Sequence, residues 1–345
     1  MYPKESNMSQ EGVFHIDEDA KPFTHLNFKN DPDEFQFAVV SDNAGGGRPG
    51  VFHKAVEMVN LLQPEFVACL GDLVEGYNDA SGQPADEEVY RAWWQGIDDS
   101  LAQLDMPFFF LPGNHDLNSP ASLKVWRERY GGSRAYYHFI YKNVLFLMIN
   151  TEDPPKDPEA LIENDPEQAK IIEDAYKAIK HAIAAGEGPD KVLELLGPIE
   201  EWSGGTNISD AQVAYFKEVL EANPDVRWTF CLMHAPAWQT AEGFEQDPGI
   251  FAEIEALLAD RPYTVFGAHT HVYNYTKRNG RDYITTAMTG AMNLPRPGAM
   301  DHFVWVTMTD QGPKIANLML NGIVDKKGPP RDDDLAAIGM YRPRA

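Results

Sequence analysis

The sequence predicts an α/β fold in which short buried strands alternate with amphipathic helices. Short, continuous apolar runs recur along the chain and end abruptly at polar residues. Runs of this length are typical of strands that are buried on both faces. Helical patterns lie between several of the runs, and such alternation of strands and helices favours a layered sheet structure.

The predicted strands are apolar runs rich in Val, Phe, Ile and Leu. They cover residues 35–40, 66–70, 107–111, 144–149, 228–233, 263–266, 282–287 and 303–309. Helices are predicted over 51–62 and 89–104, where apolar residues recur at helical spacing. The chain is therefore predicted to form one domain over 35–325, with a polar leader at 1–34 and a polar tail at 326–345.

A segment at about 152–208 breaks the strand–helix rhythm and is predicted to be a helical insertion. Asp165 can cap a helix that begins at Pro166, and Gly186 lies just past its other end. One face of this helix is apolar, and a second short helix is predicted over 190–196. The insertion is either a lid or wall near a functional site or a surface excursion without a functional role.

Composition limits the classes of partner. The 345 residues carry a formal net charge of −24, which repels nucleic acid phosphates and anionic membranes at long range. Cys69 and Cys231 lie within apolar runs, which predicts buried, reduced thiols. The first residues lack the pattern of a signal peptide, and no apolar run approaches the roughly 18 residues of a membrane span. We therefore predict a cytoplasmic protein that binds neither duplex nucleic acid nor membranes.

Side chains that can bind metal ions follow five of the predicted strands directly. In open α/β sheets, ligand sites gather outside the carboxyl ends of the strands. Carboxylate, amide and imidazole groups suit Mn, Fe or Zn, so the five strand ends predict a metal site at one edge. The segments are Ser41-Asp42-Asn43, Gly71-Asp72, Gly113-Asn114-His115-Asp116, His234-Ala235-Pro236 and Gly267-Ala268-His269-Thr270-His271.

This series of motifs resembles that of the calcineurin-like metallophosphoesterase superfamily, which includes purple acid phosphatases and cyclic-nucleotide phosphodiesterases. The family pattern is D-x-H, G-D-x-x, G-N-H-D/E, an isolated H, and G-H-x-H, and the resemblance extends over about 35–309. The fold that it implies is a four-layer α/β/β/α sandwich of two mixed β-sheets flanked by helices. A site with two divalent metal ions, Mn, Fe or Zn, is implied at one edge.

The resemblance assigns roles to the matching residues. Asp42, Asp72 and His271 are expected to hold the first metal ion. Asp72 is expected to bridge to the second ion, which Asn114, His234 and His269 complete. A carboxylate in the bridging position offsets the repulsion between two dications.

Two motifs depart from the family pattern. The last motif has an additional alanine, Ala268, after its glycine, while the two histidines keep their spacing. In the first motif Ala44 replaces a histidine ligand, so the first metal site loses one ligand. Purple acid phosphatases lack the same histidine and use a tyrosine three residues after the second aspartate, where this chain has Glu75. Glu75 is therefore a candidate ligand, with Tyr77 or water as alternatives.

The predicted function is hydrolysis of small phosphomonoesters or phosphodiesters by a metal-activated hydroxide. Two metal ions about 3.5–4 Å apart lower the pKa of a bound water and bind the phosphoryl oxygens. His115 is expected to protonate the leaving group, with Asp116 hydrogen-bonded to it. The alternative function, suggested by Ala44, is a degenerate family member that binds metal or a phosphorylated ligand without turnover.

The glycine-rich turn after Asp42 has two interpretations. Its backbone N–H groups, with Asn43 and Arg48, could bind a substrate phosphate. Alternatively, the glycines only allow a tight turn between a strand and a helix.

Overall fold

The computed structural model describes most of the chain between residues 31 and 322. The elements below lie within Asp33–Ala345, which forms one compact unit. The predicted tail at 326–345 and all but four residues of the predicted leader lie outside the described residues. The described ranges are 31–77, 84–131, 134–155, 165–188, 191–192, 194–195, 207–239, 251–258, 260–294 and 297–322.

The first sheet has five strands in the order β11-β10-β1-β2-β3. Strands β1, β2 and β3 run parallel to one another, whereas β10 pairs antiparallel with both β1 and β11. The parallel strands end at the same edge, which is where Asp42 and Asp72 follow. The strands are β1 Phe35–Val40, β2 Phe66–Cys69, β3 Phe108–Phe109, β10 His302–Thr309 and β11 Gly312–Met319.

The second sheet has six strands in the order β4-β5-β6-β7-β9-β8. The four inner strands are parallel, and the edge strands β4 and β8 are antiparallel to their neighbours. The strands are β4 Tyr137–Tyr141, β5 Val144–Ile149, β6 Trp228–Met233, β7 Tyr263–Gly267, β8 Asn274–Arg278 and β9 Arg281–Thr285.

Six α-helices and one 3₁₀ turn lie wholly within the described residues. Three of the helices begin at a side-chain cap, in which Asp86, Ser119 or Ser209 accepts a hydrogen bond from a backbone N–H of the first turn. The helices are α1 Val51–Leu62, α2 Glu87–Leu101, α3 Pro120–Tyr130, α4 Pro166–Ala184, α5 Asp210–Ala222 and α6 Ala252–Leu258, and the 3₁₀ turn is Leu320–Gly322.

Three apolar clusters lie between the layers of this unit and hold them together. The central cluster lies between the two sheets, where the Phe37 and Phe66 rings stack with centroids 5.1 Å apart. A second cluster joins the first sheet to α1, α2 and α3. A third joins the second sheet to α5 and α6. Two mixed sheets flanked by helices confirm the predicted α/β/β/α sandwich.

The predicted bounds are most accurate for the buried strands. β1, β5, β6 and α1 have the predicted limits. The strand predicted over 107–111 is wrong in length, because only Phe108–Phe109 pairs with β2. Helix α2 begins two residues earlier than predicted, at the Asp86 cap, and ends at Leu101. Cys69 and Cys231 are buried and free, as predicted.

The insertion is helical in the part that the structure describes. Helix α4 begins at Pro166, as predicted, and Gly186 follows its end with φ 73°. Of the predicted second helix at 190–196, the structure describes 191–192 and 194–195, and these four residues are helical. No helix among the described residues is long and apolar enough to cross a membrane. The cytoplasmic location and the absence of a nucleic acid partner stay predictions.

His302 is a buried histidine whose two ring nitrogens both have hydrogen-bond partners. Its Nε2 accepts from the backbone N–H of Ala287 at 2.9 Å, and its Nδ1 lies 3.1 Å from Asn317 Oδ1. The imidazole is therefore neutral, with its proton on Nδ1. Burial lowers the pKa of His302 to about 4, although the hydrogen bond to Asn317 opposes this.

We expect His302 to make the free energy of unfolding depend on pH. The unfolded chain takes up this proton near pH 6.5 and the folded chain only near pH 4, so stability falls as pH falls through that window. The expected loss between pH 7 and pH 5 is about 2 kcal/mol. Urea unfolding at both pH values should therefore show a smaller pH dependence for His302→Gln than for wild type. Equal pH dependences would contradict the prediction.

Candidate metal centre

The five strand-end motifs meet at one edge of the sandwich. Asp42 follows β1, Asp72 follows β2, and His234 follows β6. Asn114 and His115 lie between β3 and α3, and His269 and His271 come directly after β7. These seven residues thus come together, although they are spread over 230 positions of the sequence.

His234 lies at the centre of one group of side chains. Its Nε2 is 3.2 Å from Asp72 Oδ2, 3.1 Å from Asn114 Oδ1 and 3.2 Å from His269 Nδ1. A carboxylate oxygen of Asp72 and one ring nitrogen each of His234 and His269 could bind a metal ion, and these three atoms lie within 4.8 Å of one another. These four residues are the set expected to hold the second metal ion.

The protonation of His234 explains why this group suits a cation. Its Nδ1 lies 2.9 Å from the Leu70 carbonyl oxygen, which can only accept, so Nδ1 carries a proton. Nε2 faces the oxygens of Asp72 and Asn114, where either a second proton on the ring or a bound cation balances the converging acceptors. Although burial lowers the pKa of His234, the charge of Asp72 raises it to about 10. Burial and His234 lower the pKa of His269 to about 3.

Asp42 and His271 form a second group beside the first. Asp42 Oδ1 lies 3.5 Å from His271 Nε2 and accepts from the His269 backbone N–H at 3.2 Å. Asp42 Oδ2 is buried and has no hydrogen-bond partner among the described residues. A buried carboxylate oxygen without a partner is costly, and a cation at this place would satisfy it. The residues present therefore fit metal ions at both expected positions.

Four of the predicted ligands have left-handed backbone conformations. The φ angles are 50° at Asp42, 57° at Asp72, 72° at His269 and 53° at His271. Side chains with a Cβ rarely adopt this region, and such residues gather at functional sites where the surroundings enforce them. Here the Asp72 carbonyl accepts from the N–H groups of Asn43 and Ala44, and backbone hydrogen bonds also fix the Asp42 carbonyl.

Asp116 has a different partner from the one that the sequence predicted. Its two oxygens accept four backbone N–H groups, from Asp72, Leu73, Val74 and Gly113, at 2.7–3.1 Å. The prediction that Asp116 hydrogen-bonds to His115 is wrong, because the four N–H groups occupy the acceptor positions of the carboxylate. Burial and the charge of Asp72 raise the pKa of Asp116, whereas the N–H groups of Gly113 and Val74 lower it. Asp116 therefore fixes the loop that carries Asp72 and does not contact the reacting groups.

His115 is oriented by Glu75 instead. Its Nδ1 lies 2.5 Å from the Glu75 carbonyl oxygen, so this nitrogen donates and Nε2 is left for other chemistry. The His115 backbone N–H donates to Asp72 Oδ1 at 2.9 Å, and Nε2 lies 4.0 Å from Asp72 Oδ2. Burial lowers the pKa of His115, but the charges of Asp72 and Glu75 outweigh burial and raise it. These charges favour the protonated ring.

The predicted substrate contacts of the glycine-rich turn are replaced by contacts within the protein. The N–H groups of Gly45, Gly46 and Gly47 donate to the Glu75 carboxylate. Asn43 Nδ2 donates to the Leu73 carbonyl at 2.8 Å. These contacts favour the interpretation of the turn as a tight connection between a strand and a helix, because its N–H groups already have an anionic partner. Substrate contacts of Asn43 stay a prediction.

Arg48 is likewise held by the protein. Its Nε donates to the Ala291 carbonyl at 2.9 Å, and its Nη1 donates to Asp301 Oδ2 at 3.0 Å. The second Nη of the guanidinium donates to the other oxygen of Asp301. The bidentate pair connects the loop after β1 to the segment before β10. Because these contacts hold the guanidinium, the geometry does not support the predicted contact of Arg48 with substrate.

Gly45 lies where the loop after Ala44 passes closest to two site histidines. A Cβ at Gly45, which has φ 81°, would lie 2.8 Å from His271 Cε1 and 3.7 Å from His115 Nε2. Ala44 itself is buried, and its N–H donates to the Asp72 carbonyl at 2.8 Å. The loop therefore packs directly against His271 on the side where the family histidine is missing.

We expect Gly45→Ala to displace His271 and to lower the affinity for metal, measured by titration of the metal-free protein. Gly280 is a matched control, because it has φ 71° but nothing lies within 4 Å of a Cβ there. Backbone strain alone should cost each variant roughly 1–2 kcal/mol of stability. Only Gly45→Ala should lose metal affinity, and equal affinities in the two variants would contradict the prediction.

The insertion contacts the segment next to this loop. Ile179 and Ala182 of α4 and Val192 form a small apolar cluster, against which Met292 and Leu294 pack. The Met292 backbone N–H donates to the Gly45 carbonyl at 3.2 Å. Within the described part of the insertion, α4 and Val192 therefore contact a segment next to the site. A role as a lid or wall, and any effect on substrates, stay predictions.

The fold and the site define an α/β/β/α sandwich with a cluster of metal-binding residue types at its strand ends. The calcineurin-like phosphoesterase family model matches residues 35–273. The chain belongs to this family, and membership supports a phosphoesterase function in general terms. A comparison with curated protein sequences gave no match.

Solved structures share the fold at low sequence identity. A dimetal phosphatase from Danio rerio is 13% identical with a TM-score of 0.52, covering 83% of this chain and 99% of its own. A purple acid phosphatase from yellow lupin (Lupinus luteus) seeds is 12% identical with a TM-score of 0.54, covering 85% and 53%. An anchor protein of the inner membrane complex of Plasmodium is 14% identical with a TM-score of 0.52, covering 88% and 95%. Identities this low show the fold alone.

Proposed function

We propose that the protein is a metal-dependent hydrolase of small phosphomonoesters or phosphodiesters. The observation that carries this proposal is the convergence of potential metal-ligand atoms from Asp72, Asn114 and His234 near Asp42, whose buried Oδ2 has no hydrogen-bond partner among the described residues. Family membership supports the same chemistry. The dimetal phosphatase of similar fold adds support for a site of two metal ions.

The residues present divide between two metal positions. Asp42, Asp72 and His271 would hold the first ion, and Asp72, Asn114, His234 and His269 would hold the second. When bound, divalent Mn, Fe or Zn ions would supply a water of lowered pKa and positive charge for the phosphoryl oxygens. Glu75 is less suited to be a ligand than the sequence suggested, because both of its carboxylate oxygens accept backbone N–H groups.

His115 is the residue of this chain that would move a proton. Its Nδ1 is fixed by the Glu75 carbonyl, so the proton for the leaving-group oxygen would come from Nε2. The adjacent charges of Asp72 and Glu75 favour the protonated ring that a general acid needs. Asp116 contributes indirectly, by holding the backbone around Asp72.

A second candidate function is binding of metal or a phosphorylated ligand without turnover. The observation that favours it is Ala44, whose buried methyl group replaces a ligand that the family pattern has. The first metal position then depends on three side chains, and a weakly held ion would leave the site incomplete. An oriented His115 argues against this candidate, because binding alone needs no proton donor.

Reconstitution of metal-stripped protein would separate the two candidates. Mn, Fe, Zn or Mg would be added in turn, bound metal counted, and hydrolysis of nitrophenyl phosphate and bis-nitrophenyl phosphate followed. Activity that returns with two metal ions per chain would support the enzyme, and the preferred ester would identify it as a mono- or diesterase. Bound metal without turnover of either ester would favour the binding protein.

A further inference from the structure

Glu75 contacts two separate parts of the site with two different groups. Its carboxylate accepts from the N–H of Gly47 at 2.5 Å and from those of Gly45 and Gly46 at 3.3 Å each. Its backbone carbonyl accepts from His115 Nδ1 at 2.5 Å. One residue therefore connects the loop after the first ligand to the expected proton donor.

The glycine loop, residues 45–47, can make these contacts only because it has no side chains. A Cβ at Gly46 would lie 2.9 Å from Met292 Cβ, and a Cβ at Gly47 would lie 3.0 Å from Glu75 Oε1. Gly45 and Gly46 both have φ near 80°, a conformation in which consecutive N–H groups can point to one anion. The loop is thus shaped around an anionic group, and Glu75 supplies that group from within the chain.

The loop also lies close to the reacting side of the site. A Cβ built on Gly45 would lie 2.8 Å from His271 Cε1 and 3.7 Å from His115 Nε2, so the loop passes beside both rings. A loop that moved away from Glu75 would therefore open space beside the histidine that protonates the leaving group. The Glu75 carbonyl holds His115 Nδ1, and the Glu75 carboxylate holds the loop that passes beside His115 Nε2.

We propose that Glu75 is a positioning residue, whose carboxylate holds the glycine loop while its carbonyl aims Nε2 of His115 at the leaving group. The proposal rests on the phosphoesterase function proposed above, because it gives His115 its purpose. It differs from a role of Glu75 as a metal ligand. It also explains how a chain with Ala44 keeps the first motif packed against His271: Glu75 anchors the loop that the missing histidine would otherwise have tied to a metal ion.

Three variants test this role. Glu75→Ala removes the acceptor, and Glu75→Gln keeps the size but leaves only one oxygen to accept the glycine N–H groups. Glu57→Gln on α1 is the matched control, because Glu57 pairs with Lys54 on the surface. The measurements are hydrogen exchange of the backbone amides of 44–48, bound metal per chain, and kcat and KM for an alkyl phosphate and for nitrophenyl phosphate.

We expect faster amide exchange in the glycine loop for Glu75→Ala, an intermediate rate for Glu75→Gln, and no change for the control. Bound metal should stay at the wild-type level. For Glu75→Ala, kcat with the alkyl phosphate should fall by roughly tenfold, part of the ~100-fold or more that a general acid contributes. The nitrophenyl ester should be much less affected, and KM should stay within about twofold for both esters.

The outcomes separate this role from its competitors. Unchanged exchange of the loop amides in Glu75→Ala would overturn the proposal, and so would loss of bound metal in Glu75→Gln, which would make Glu75 a ligand. Equal losses of kcat for the two esters would also overturn it. If wild-type protein hydrolyses neither ester, the proposed function fails, while amide exchange still shows separately whether Glu75 holds the loop.

Discussion

Replacing Asp72 with asparagine is expected to remove bound metal and to lower phosphoesterase activity by roughly a thousandfold. A loss of this size corresponds to several kcal/mol of transition-state stabilisation by the metal ions. Asp72 is expected to be shared by the two groups of ligands: its Oδ2 faces His234, and its carbonyl accepts from the N–H groups of Asn43 and Ala44 in the loop that carries Asp42. A neutral amide cannot offset the charge of two dications. Metal counts after dialysis and rates with both nitrophenyl esters would measure the effect.

The substitution is suited to this test because it should spare the fold. Asparagine tolerates the left-handed backbone that Asp72 adopts at φ 57°, and its amide oxygen can still accept from the His115 N–H. Asp116→Asn provides the contrast, because an amide NH₂ would face N–H donors and destabilise the loop. Wild-type metal content in Asp72→Asn would show that Asp72 is not a shared ligand. Asp310→Asn, in the exposed turn before β11, is the surface control.

The sequence predicts the fold well where burial alone decides the structure. The strands β1, β5 and β6 are apolar on both faces, so their limits coincide with the ends of continuous apolar runs. The edge strands β8 and β11 alternate partly buried and exposed residues, which gives a pattern with many polar positions, and they were not predicted. Helix α3 was also not predicted, although Ser119 and Pro120 are a recognisable start signal.

The site is predictable in its members but not in all of their contacts. Asp42, Asp72, Asn114, His234, His269 and His271 come together because each follows a strand that ends at the same edge. Most partners of Asp116 and Glu75 could not be derived from spacing, because all except Gly113 lie 28–44 residues away in sequence and depend on how three loops pack. The three consecutive glycines at 45–47 were the signal that an anion lies nearby, and the anion is Glu75 instead of a substrate phosphate.

Replacing His115 with alanine is expected to lower kcat for an alkyl phosphate by about 100- to 10,000-fold, the usual contribution of a general acid. The Glu75 carbonyl holds Nδ1, so Nε2 is the nitrogen that can give a proton to the leaving oxygen. A nitrophenolate leaving group is stable as an anion and needs no proton, so kcat for nitrophenyl phosphate should fall far less. Bound metal should not change, because His115 is not among the expected ligands.

The ratio of the two losses is the quantity that decides the role of His115. His53→Ala on α1 is the control, since this histidine lies on the surface and contacts Glu57 and Ser100. A purely structural effect of removing the imidazole would loosen the Asp72 loop, which the His115 N–H contacts, and would slow both esters alike. An equal loss of kcat for alkyl and nitrophenyl esters would therefore show that His115 is not the proton donor. A much larger loss for the alkyl ester, with unchanged metal content, would show that it is.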